Sequence, residues 1–163
     1  ALPYLWYGLG CLVVGELIRF WAVRYAGGIT RTMKVGAPAL CSSGPFAHVR
    51  NPLYIGNLFV FTGIVLMADA SNIWAMLIVT WVFFIIQYAL IIDLEEETLI
   101  GLFSEEYELY KSNVPQLFPR FSPWKSDDNR TPMSFGKTLK TEKRTLQNII
   151  LILLLITLRQ QFV

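Results

Sequence analysis

The sequence predicts an all-α fold: a polytopic membrane bundle of about four transmembrane helices with a small cytoplasmic helical cap. Hydrophobic residues make up 54% of the 163 positions, charged residues only 16%, and the mean hydropathy is +0.46. The apolar residues lie in long runs, without the polar interruptions that are typical of a soluble core. We therefore expect a single membrane domain over residues 1–163, with the lipid bilayer as a partner and neither nucleic acid nor a metal ion.

The first predicted span covers residues 2–25 and ends at the Gly27–Gly28 pair, where the backbone is free to leave a helix. Glu16 and Arg19 interrupt its apolar sequence. Because residues three apart share one face of a helix, these two can form an ion pair. A polar loop, predicted to be cytoplasmic, follows over residues 29–51.

The second and third spans are predicted over residues 52–69 and 73–93. Proline is favoured at the first position of a helix, as at Pro52, and the polar sequence DASN separates the two apolar runs. The third run ends at Asp93, which precedes a group of glutamates that cannot remain in hydrocarbon. With so short a break, the two spans form an antiparallel hairpin.

A cytoplasmic cap is predicted over residues 94–144, and it begins with the amphipathic sequence TLIGLFSEEYELYKSNV. Its polar and basic second part, residues 126–144, is typical of a flexible connector that touches anionic lipid head groups. The last apolar run predicts a fourth span over residues 145–161, which is long enough to cross the membrane when its flanks are included.

The basic residues predict the orientation of the bundle. By the positive-inside rule, the loops that carry them face the cytoplasm, and only Arg159 lies clearly on the other side. A site built at these loops therefore faces the cytoplasm. The loop cations are Arg31, Lys34, Arg50, Lys111, Arg120, Lys125, Arg130, Lys137, Lys140, Lys143 and Arg144.

The hairpin brings two distant polar sequences to one membrane edge. Each span can cross about 30 Å of hydrocarbon at about 1.5 Å per residue, so the two cytoplasmic ends lie together. One end is RNPLY, residues 50–54, and the other is Glu95–Glu96. A cation, an amide, a phenol and two carboxylates can bind a zwitterionic or cationic ligand. S-adenosylmethionine, with its positive sulfonium and amino groups, has this character.

The same two sequences carry a resemblance to a known family of membrane enzymes. The stretch SGPFAHVRNPLYIG, followed by EEETLIGLFSEEYELYKSNVPQLFPRF, resembles the membrane methyltransferases related to isoprenylcysteine carboxyl methyltransferase and the phospholipid methyltransferases. The family pattern is Gly-Pro/Val-Tyr, then Arg-His-Pro-x-Tyr, then a glutamate pair with phenylalanine and tyrosine downstream. The resemblance covers residues 38–121 and implies S-adenosylmethionine-dependent transfer of a methyl group to a lipophilic or small acceptor.

The resemblance also implies which residues hold the cofactor. We expect Arg50 and Glu95 to be the catalytic residues: Arg50 orients the polar head of the acceptor, and Glu95 anchors the cofactor. Glu96 is expected to support the site as a neighbour of these groups. The predicted cofactor-binding residues are Leu40, Cys41, Phe46, Asn51, Pro52, Leu53, Tyr54, Glu95 and Glu96.

The sequence departs from the family pattern at two places. Asn51 stands where the family commonly has a histidine, and its amide keeps hydrogen bonding but cannot act as a titratable base. Ile91, Ile92 and Asp93 stand where prenylcysteine enzymes carry an arginine ahead of the glutamate pair. The second departure argues against a prenylcysteine substrate.

Two other functions fit parts of the pattern. Sterol reductases, which use NADPH, have a similar arginine-to-tyrosine motif, but this chain is short for that class and carries a glutamate pair. A non-catalytic membrane relative is the second alternative, because the family histidine is replaced by Asn51. Binding of NADPH or of S-adenosylmethionine distinguishes the three interpretations.

Overall fold

The computed structural model of the protein describes residues 2–27 and 39–162. The predicted loop cations Arg31 and Lys34 lie outside the described residues. The described chain is all-α, which confirms the predicted fold class. Its helices are α1, Leu2–Ala26; a 3₁₀ helix, Gly44–Ala47; α2, Pro52–Ala68; α3, Ile73–Asn113; and α4, Phe135–Phe162.

Three of these helices are long and apolar enough to cross a membrane. They are Tyr4–Ala26 of α1, Ile73–Asn113 and Phe135–Phe162. The second helix, α2, is a shorter apolar helix of 17 residues. At about 1.5 Å per residue it is about 25 Å long, which lies at the lower limit for a membrane span. The large apolar side chains exposed on α3 and α4 are therefore suited to face lipid.

α1 and α2 pack closely because glycines of one helix meet glycines of the other. A Cβ built on Gly15 of α1 would lie 2.6 Å from the carbonyl oxygen of Gly56 on α2. A Cβ built on Gly63 would likewise lie 2.6 Å from the carbonyl oxygen of Gly8. In each helix the two glycines are about two turns apart, so they share one face. Small residues allow helix backbones to approach in lipid, where apolar burial gives little drive for association.

α3 continues well beyond the predicted end of the third span. The span predicted over 73–93 continues as helix up to Ser104, whose non-helical backbone (φ 42°) kinks the chain, and a second helical part of α3 follows up to Asn113. Beyond this residue, Tyr110 is buried against Leu40 of the loop. The cap predicted from the amphipathic pattern thus packs over the chain that precedes α2.

α4 runs antiparallel to α1 along the height of the bundle. Just before its start, the backbone N–H of Met133 donates to the carbonyl of Arg24 at 2.8 Å. Near its end, Arg159 Nη1 donates to the carbonyl of Ala68 at 3.1 Å, where α2 ends and its carbonyls lack helical partners. The fourth span, predicted over 145–161, is helical throughout. The chain thus contacts the last turn of α1 just before α4 begins and the last residue of α2 near the end of α4.

Replacing Gly15 by alanine is expected to destabilise the protein. The added Cβ would also lie 2.7 Å from the backbone nitrogen of Val60, and backbone atoms cannot move aside as a flexible side chain can. Overpacking of this kind costs about 1–3 kcal/mol, which corresponds to a fall of several degrees in the thermal unfolding midpoint.

Gly10 on the same helix provides the matched control, because a Cβ built there meets no described atom within 4 Å. Gly10→Ala should keep or slightly raise the wild-type unfolding midpoint in the same detergent, because alanine is the better helix former. Equal midpoints for Gly10→Ala and Gly15→Ala would contradict the packing argument.

Candidate functional site

A cavity of about 640 Å³ lies at the end of the bundle where residues 39–51 are found, which we call the loop end. Every site residue predicted from the sequence lines this cavity. They are Leu40, Cys41, Phe46, Arg50, Asn51, Pro52, Leu53, Tyr54, Glu95 and Glu96. The antiparallel hairpin thus brings the two motifs together as expected, while the role of each residue stays a prediction.

Arg50 connects three parts of the chain in the cavity wall. Its Nε and Nη2 donate to Glu96 Oε1 at 3.2 and 2.8 Å, and its Nη1 donates to the carbonyls of Lys111 and Val114 at 3.0 and 2.8 Å. Lys111 Nζ lies 3.1 Å from the other carboxylate oxygen of Glu96. The guanidinium therefore ties the loop before α2 to the middle and the end of α3. That Arg50 also orients an acceptor stays a prediction.

Glu95 and Tyr54 form a second polar pair in the wall. The Tyr54 hydroxyl donates to Glu95 Oε1 at 2.8 Å, and its ring packs on that of Tyr88 with centroids 4.5 Å apart. Pro52 begins α2, which places Tyr54 in the first helical turn. Within residues 2–27 and 39–162, no cation forms an ion pair with Glu95. This carboxylate is therefore available to a cationic ligand.

The loop before α2 is held by Asp128 and Arg130. Asp128 Oδ2 accepts hydrogen bonds from the backbone N–H of Ser42 at 2.9 Å and from the Ser43 hydroxyl at 3.0 Å. Arg130 Nε donates to Asp128 at 2.8 Å, and its Nη2 donates to the carbonyl of Leu40 at 2.7 Å. This ion pair fixes the backbone that presents the loop residues to the cavity.

The prediction that residues 126–144 form a flexible connector is therefore wrong. Its first part carries the ion pair that holds the loop, and its second part is helical from Phe135 onward. A polar stretch without periodicity gives no sign of partners that lie far away in the chain. The sequence offered no signal that assigned Asp128 or Arg130 to the site.

Burial, together with the charges of this ion pair, sets the protonation of two groups at the loop. Burial raises the pKa of the Cys41 thiol from 9.0 to about 12, and the nearby Asp128 charge raises it while Arg130 opposes the shift. Burial alone would raise the pKa of the Asp128 carboxyl, but hydrogen bonds from Arg130, Ser42 and Ser43 lower it below 3.8. At neutral pH, Cys41 is a neutral thiol and Asp128 is ionised.

A further polar group lies in the inner wall of the cavity, formed by one residue from each of α1, α2 and α4. Arg19 Nη2 donates to Glu142 Oε2 at 2.7 Å, and Arg19 Nη1 donates to Asn57 Oδ1. Arg19 is 7% exposed and Glu142 is fully buried. Glu16 Oε1 lies 3.5 Å from Arg19 Nε, which confirms the predicted ion pair within α1. Glu142 and Asn57 were missed, because no local pattern links them to Arg19.

The end of α3 closes over the loop. The buried Tyr110 hydroxyl donates to the carbonyl of Phe46 at 2.7 Å. The side-chain amide of Asn51 donates to the carbonyl of Gln116 at 3.2 Å. Both contacts hold cavity-lining residues against the segment that follows the membrane hairpin.

Comparison with known proteins identifies the family. The profile of the family described as phospholipid methyltransferase matches residues 3–106, which is well over half of the chain. The chain belongs to the phospholipid methyltransferase family. The matched region contains α1, α2, the loop and the glutamate pair of α3, so it confirms the resemblance seen in the two motifs.

Several curated relatives share modest identity with this family member. The protein-S-isoprenylcysteine O-methyltransferase of Dictyostelium discoideum is 31% identical over 118 residues, covering 67% of this chain and 46% of the relative. The methanethiol S-methyltransferase of Crocosphaera subtropica is 35% identical over 74 residues, covering 45% and 27%. The cobalt-zinc-cadmium resistance protein CzcN of Cupriavidus metallidurans is 29% identical over 124 residues, covering 76% and 51%.

The chain spans about half the length of these relatives or less. No solved structure matches it. In the part of the chain that the structure describes, no group of three or more histidine, cysteine, aspartate or glutamate side chains is placed to hold a metal ion.

Cys41 is expected to react slowly with iodoacetamide. A pKa of about 12 instead of 9.0 leaves about a thousandfold less thiolate at neutral pH, and the thiolate is the nucleophile. In a Cys11→Ala background, mass spectrometry should show an alkylation rate that still rises about tenfold per pH unit between about pH 10 and pH 11.

N-acetylcysteine in the same detergent buffer serves as the control, because its rate levels off once its thiol has ionised. A Cys41 rate that levels off above about pH 10, as a thiol with a pKa of 9.0 would, would show that burial does not raise its pKa.

Proposed function

We propose that this protein is an S-adenosylmethionine-dependent methyltransferase that acts on a lipophilic or small acceptor at the cytoplasmic face of the membrane. The observation that carries the proposal is the meeting of both motif halves in one cavity. The family match supports the reaction class, because its region includes both halves. The geometry supports a site where a cofactor and an acceptor can meet.

The cavity suits a cofactor with cationic groups. Its volume of about 640 Å³ falls within the range of about 300–1,000 Å³ found for small-molecule sites. Glu95 would hold a positive group of the cofactor, and Tyr54 keeps that carboxylate in place. Leu40 and Phe46 supply apolar wall, and Asn51 supplies a polar group beside them.

The chain contributes position rather than acid–base chemistry. When bound, S-adenosylmethionine supplies an electrophilic methyl group, and its sulfur keeps the electron pair of the broken carbon–sulfur bond while the acceptor's lone pair forms the new bond. Alignment and exclusion of water are the main requirements of such a transfer. The Arg50–Glu96 and Arg130–Asp128 ion pairs meet the first requirement, because each fixes a wall segment to another part of the fold.

The positive-inside rule supports a cytoplasmic loop end. Arg159 lies at the opposite end of the bundle, beside the last residue of α2. The described cations at or near the loop end are Arg24, Arg50, Lys111, Arg120, Lys125, Arg130 and Lys137. A cofactor made in the cytosol would then enter directly from water.

A lipophilic or small acceptor is supported by the apolar part of the wall. Ile91, Leu94 and Leu102 of α3 line the cavity, and Leu94 is also 66% exposed on the outside of the bundle. The names of two relatives point to the same range of acceptors, since one is named for methanethiol and the other for protein isoprenylcysteine.

Calorimetric titration of the detergent-purified chain with S-adenosylhomocysteine, the product form of the cofactor, is expected to show saturable binding, and NADPH none. Glu95→Gln should weaken the binding about ten- to a hundredfold, because it removes a hydrogen bond to a charged group. Tyr54→Phe should weaken it less, about three- to tenfold, because the carboxylate remains.

Glu97→Gln is the matched control, since Glu97 is an exposed neighbour that does not line the cavity. It should bind S-adenosylhomocysteine as the wild type does. Binding of NADPH without S-adenosylhomocysteine would favour the reductase alternative, and binding of neither would favour a non-catalytic relative.

A further inference from the structure

The outer face of α4 changes from basic to apolar along the length of the helix. Its first turns carry four exposed cations, and among the residues that the structure describes none of these pairs with a carboxylate. The cations are Lys137, Lys140, Lys143 and Arg144. From Ile150 onward, the same face carries leucine side chains that are more than half exposed. Neither half of this face is covered by the rest of the bundle.

The opposite side of α4 packs against the bundle. Thr138, Glu142 and Ile149 are buried, and spacings of four and seven residues place them on one side of the helix. Glu142 is the only acidic residue of α4, and it pairs with Arg19 on this inner side at 2.7 Å. The helix therefore has no carboxylate of its own to neutralise the outer cations.

Four outer residues form one continuous line, which we call the basic–apolar stripe. Lys140 and Arg144 are four residues apart, Leu151 follows after seven more, and Leu155 after another four. At about 3.6 residues per turn, these spacings keep all four side chains on one side of the helix, away from the buried side. The stripe thus begins with two cations and ends with two leucines.

The cations of the stripe lie near the membrane boundary. Arg159, beside the last residue of α2, marks the other end of the bundle. From there the helix rises about 22 Å to Arg144 and about 28 Å to Lys140, against about 30 Å of hydrocarbon. Lys140 is therefore at the boundary and Arg144 is about 8 Å inside it. Long basic side chains at such depths extend along the helix to reach the head groups.

An anionic phospholipid fits both halves of the stripe. Its phosphate accepts charge-assisted hydrogen bonds from ammonium and guanidinium groups, and its acyl chains can cover the leucines. Gln147 and Asn148 add exposed amide donors between the two halves. A second copy of the chain on this face would bring the cations of two chains together, and a soluble anion would leave the leucines uncovered.

We propose that the basic–apolar stripe binds an anionic phospholipid of the leaflet at the loop end, with its phosphate on Lys140 and Arg144 and its acyl chains along Leu151 and Leu155. One side of an ordered helix thus replaces the flexible connector for which contact with anionic head groups was predicted. Such a lipid would occupy the outside of the bundle, apart from the cavity.

Native mass spectrometry of the detergent-purified chain tests the stripe, with dioleoylphosphatidylglycerol and dioleoylphosphatidylcholine added in equal amounts. The two lipids share their acyl chains and differ in the net charge of the head group. The wild-type chain is expected to retain at least about tenfold more phosphatidylglycerol, because each cation near the surface contributes about fivefold. Equal retention of the two lipids would overturn the proposal.

Lys140→Gln should lower the preference for phosphatidylglycerol about fivefold, and adding Arg144→Gln should remove most of what remains. Both side chains are exposed, so neither substitution disturbs the packed side of α4. Lys125→Gln is the matched control, since Lys125 is an exposed cation outside α4 and its loss changes the net charge equally. It should keep the wild-type ratio. Equal effects of Lys125→Gln and Lys140→Gln would show that overall charge, and not the stripe, attracts the lipid.

Glycerol 3-phosphate, in large molar excess, separates the whole lipid from its head group. It should not displace the retained phosphatidylglycerol, because it has no acyl chains to cover the leucines. Displacement would show that the cations recognise phosphate alone, and dimers in place of retained lipid would show that the face binds a second copy. Either result would overturn the proposal.

Discussion

The ion pair between Arg50 and Glu96 is the interaction on which the candidate site depends. It joins the loop before α2 to the middle of α3, and the same guanidinium binds carbonyls near the end of α3, where helical partners are missing. Both side chains are nearly buried, with 10% and 12% exposed. Removing one partner of such a pair leaves an uncompensated charge and costs about 3–5 kcal/mol. The positions of Asn51, Tyr54 and Glu95 all follow from this connection.

The close α1–α2 contact makes a second ion pair feasible deeper in the bundle. A Cβ built on Gly56 would lie 2.6 Å from the Cγ of Arg19, so glycine at this position gives the arginine side chain room to pass along α2. From there the guanidinium reaches Asn57 on α2 and Glu142 on α4. The glycine contact between α1 and α2 therefore makes room for the Arg19 side chain, which forms the polar inner wall of the cavity with Asn57 and Glu142.

Much of the fold and the part of the cavity wall formed by the two sequence motifs could be predicted from the sequence, because both follow from local patterns. Apolar runs define the helices, and a short turn between two of them makes their distant ends meet. The end of α3 could not be predicted in this way: Asp93 and the glutamates after it stop a membrane span, but glutamate is a good helix former and the helix continues. The contacts Arg19–Glu142 and Asp128–Arg130 with the loop were missed because long-range side-chain pairing leaves no periodic signal.

The length of α3 relates the depth of the cavity to the membrane. From Ile73 to Glu95 the helix rises about 33 Å, close to the thickness of about 30 Å of the hydrocarbon core. Glu95 therefore lies at the boundary with water, where an ionised carboxylate keeps part of its hydration. Arg19 and Asn57 lie about 10 Å further in, estimated from the rise along α1. The cavity therefore extends from the boundary with water, where Glu95 lies, to a polar inner wall at membrane depth, so that one site contains both a carboxylate near water and polar groups well inside the bundle.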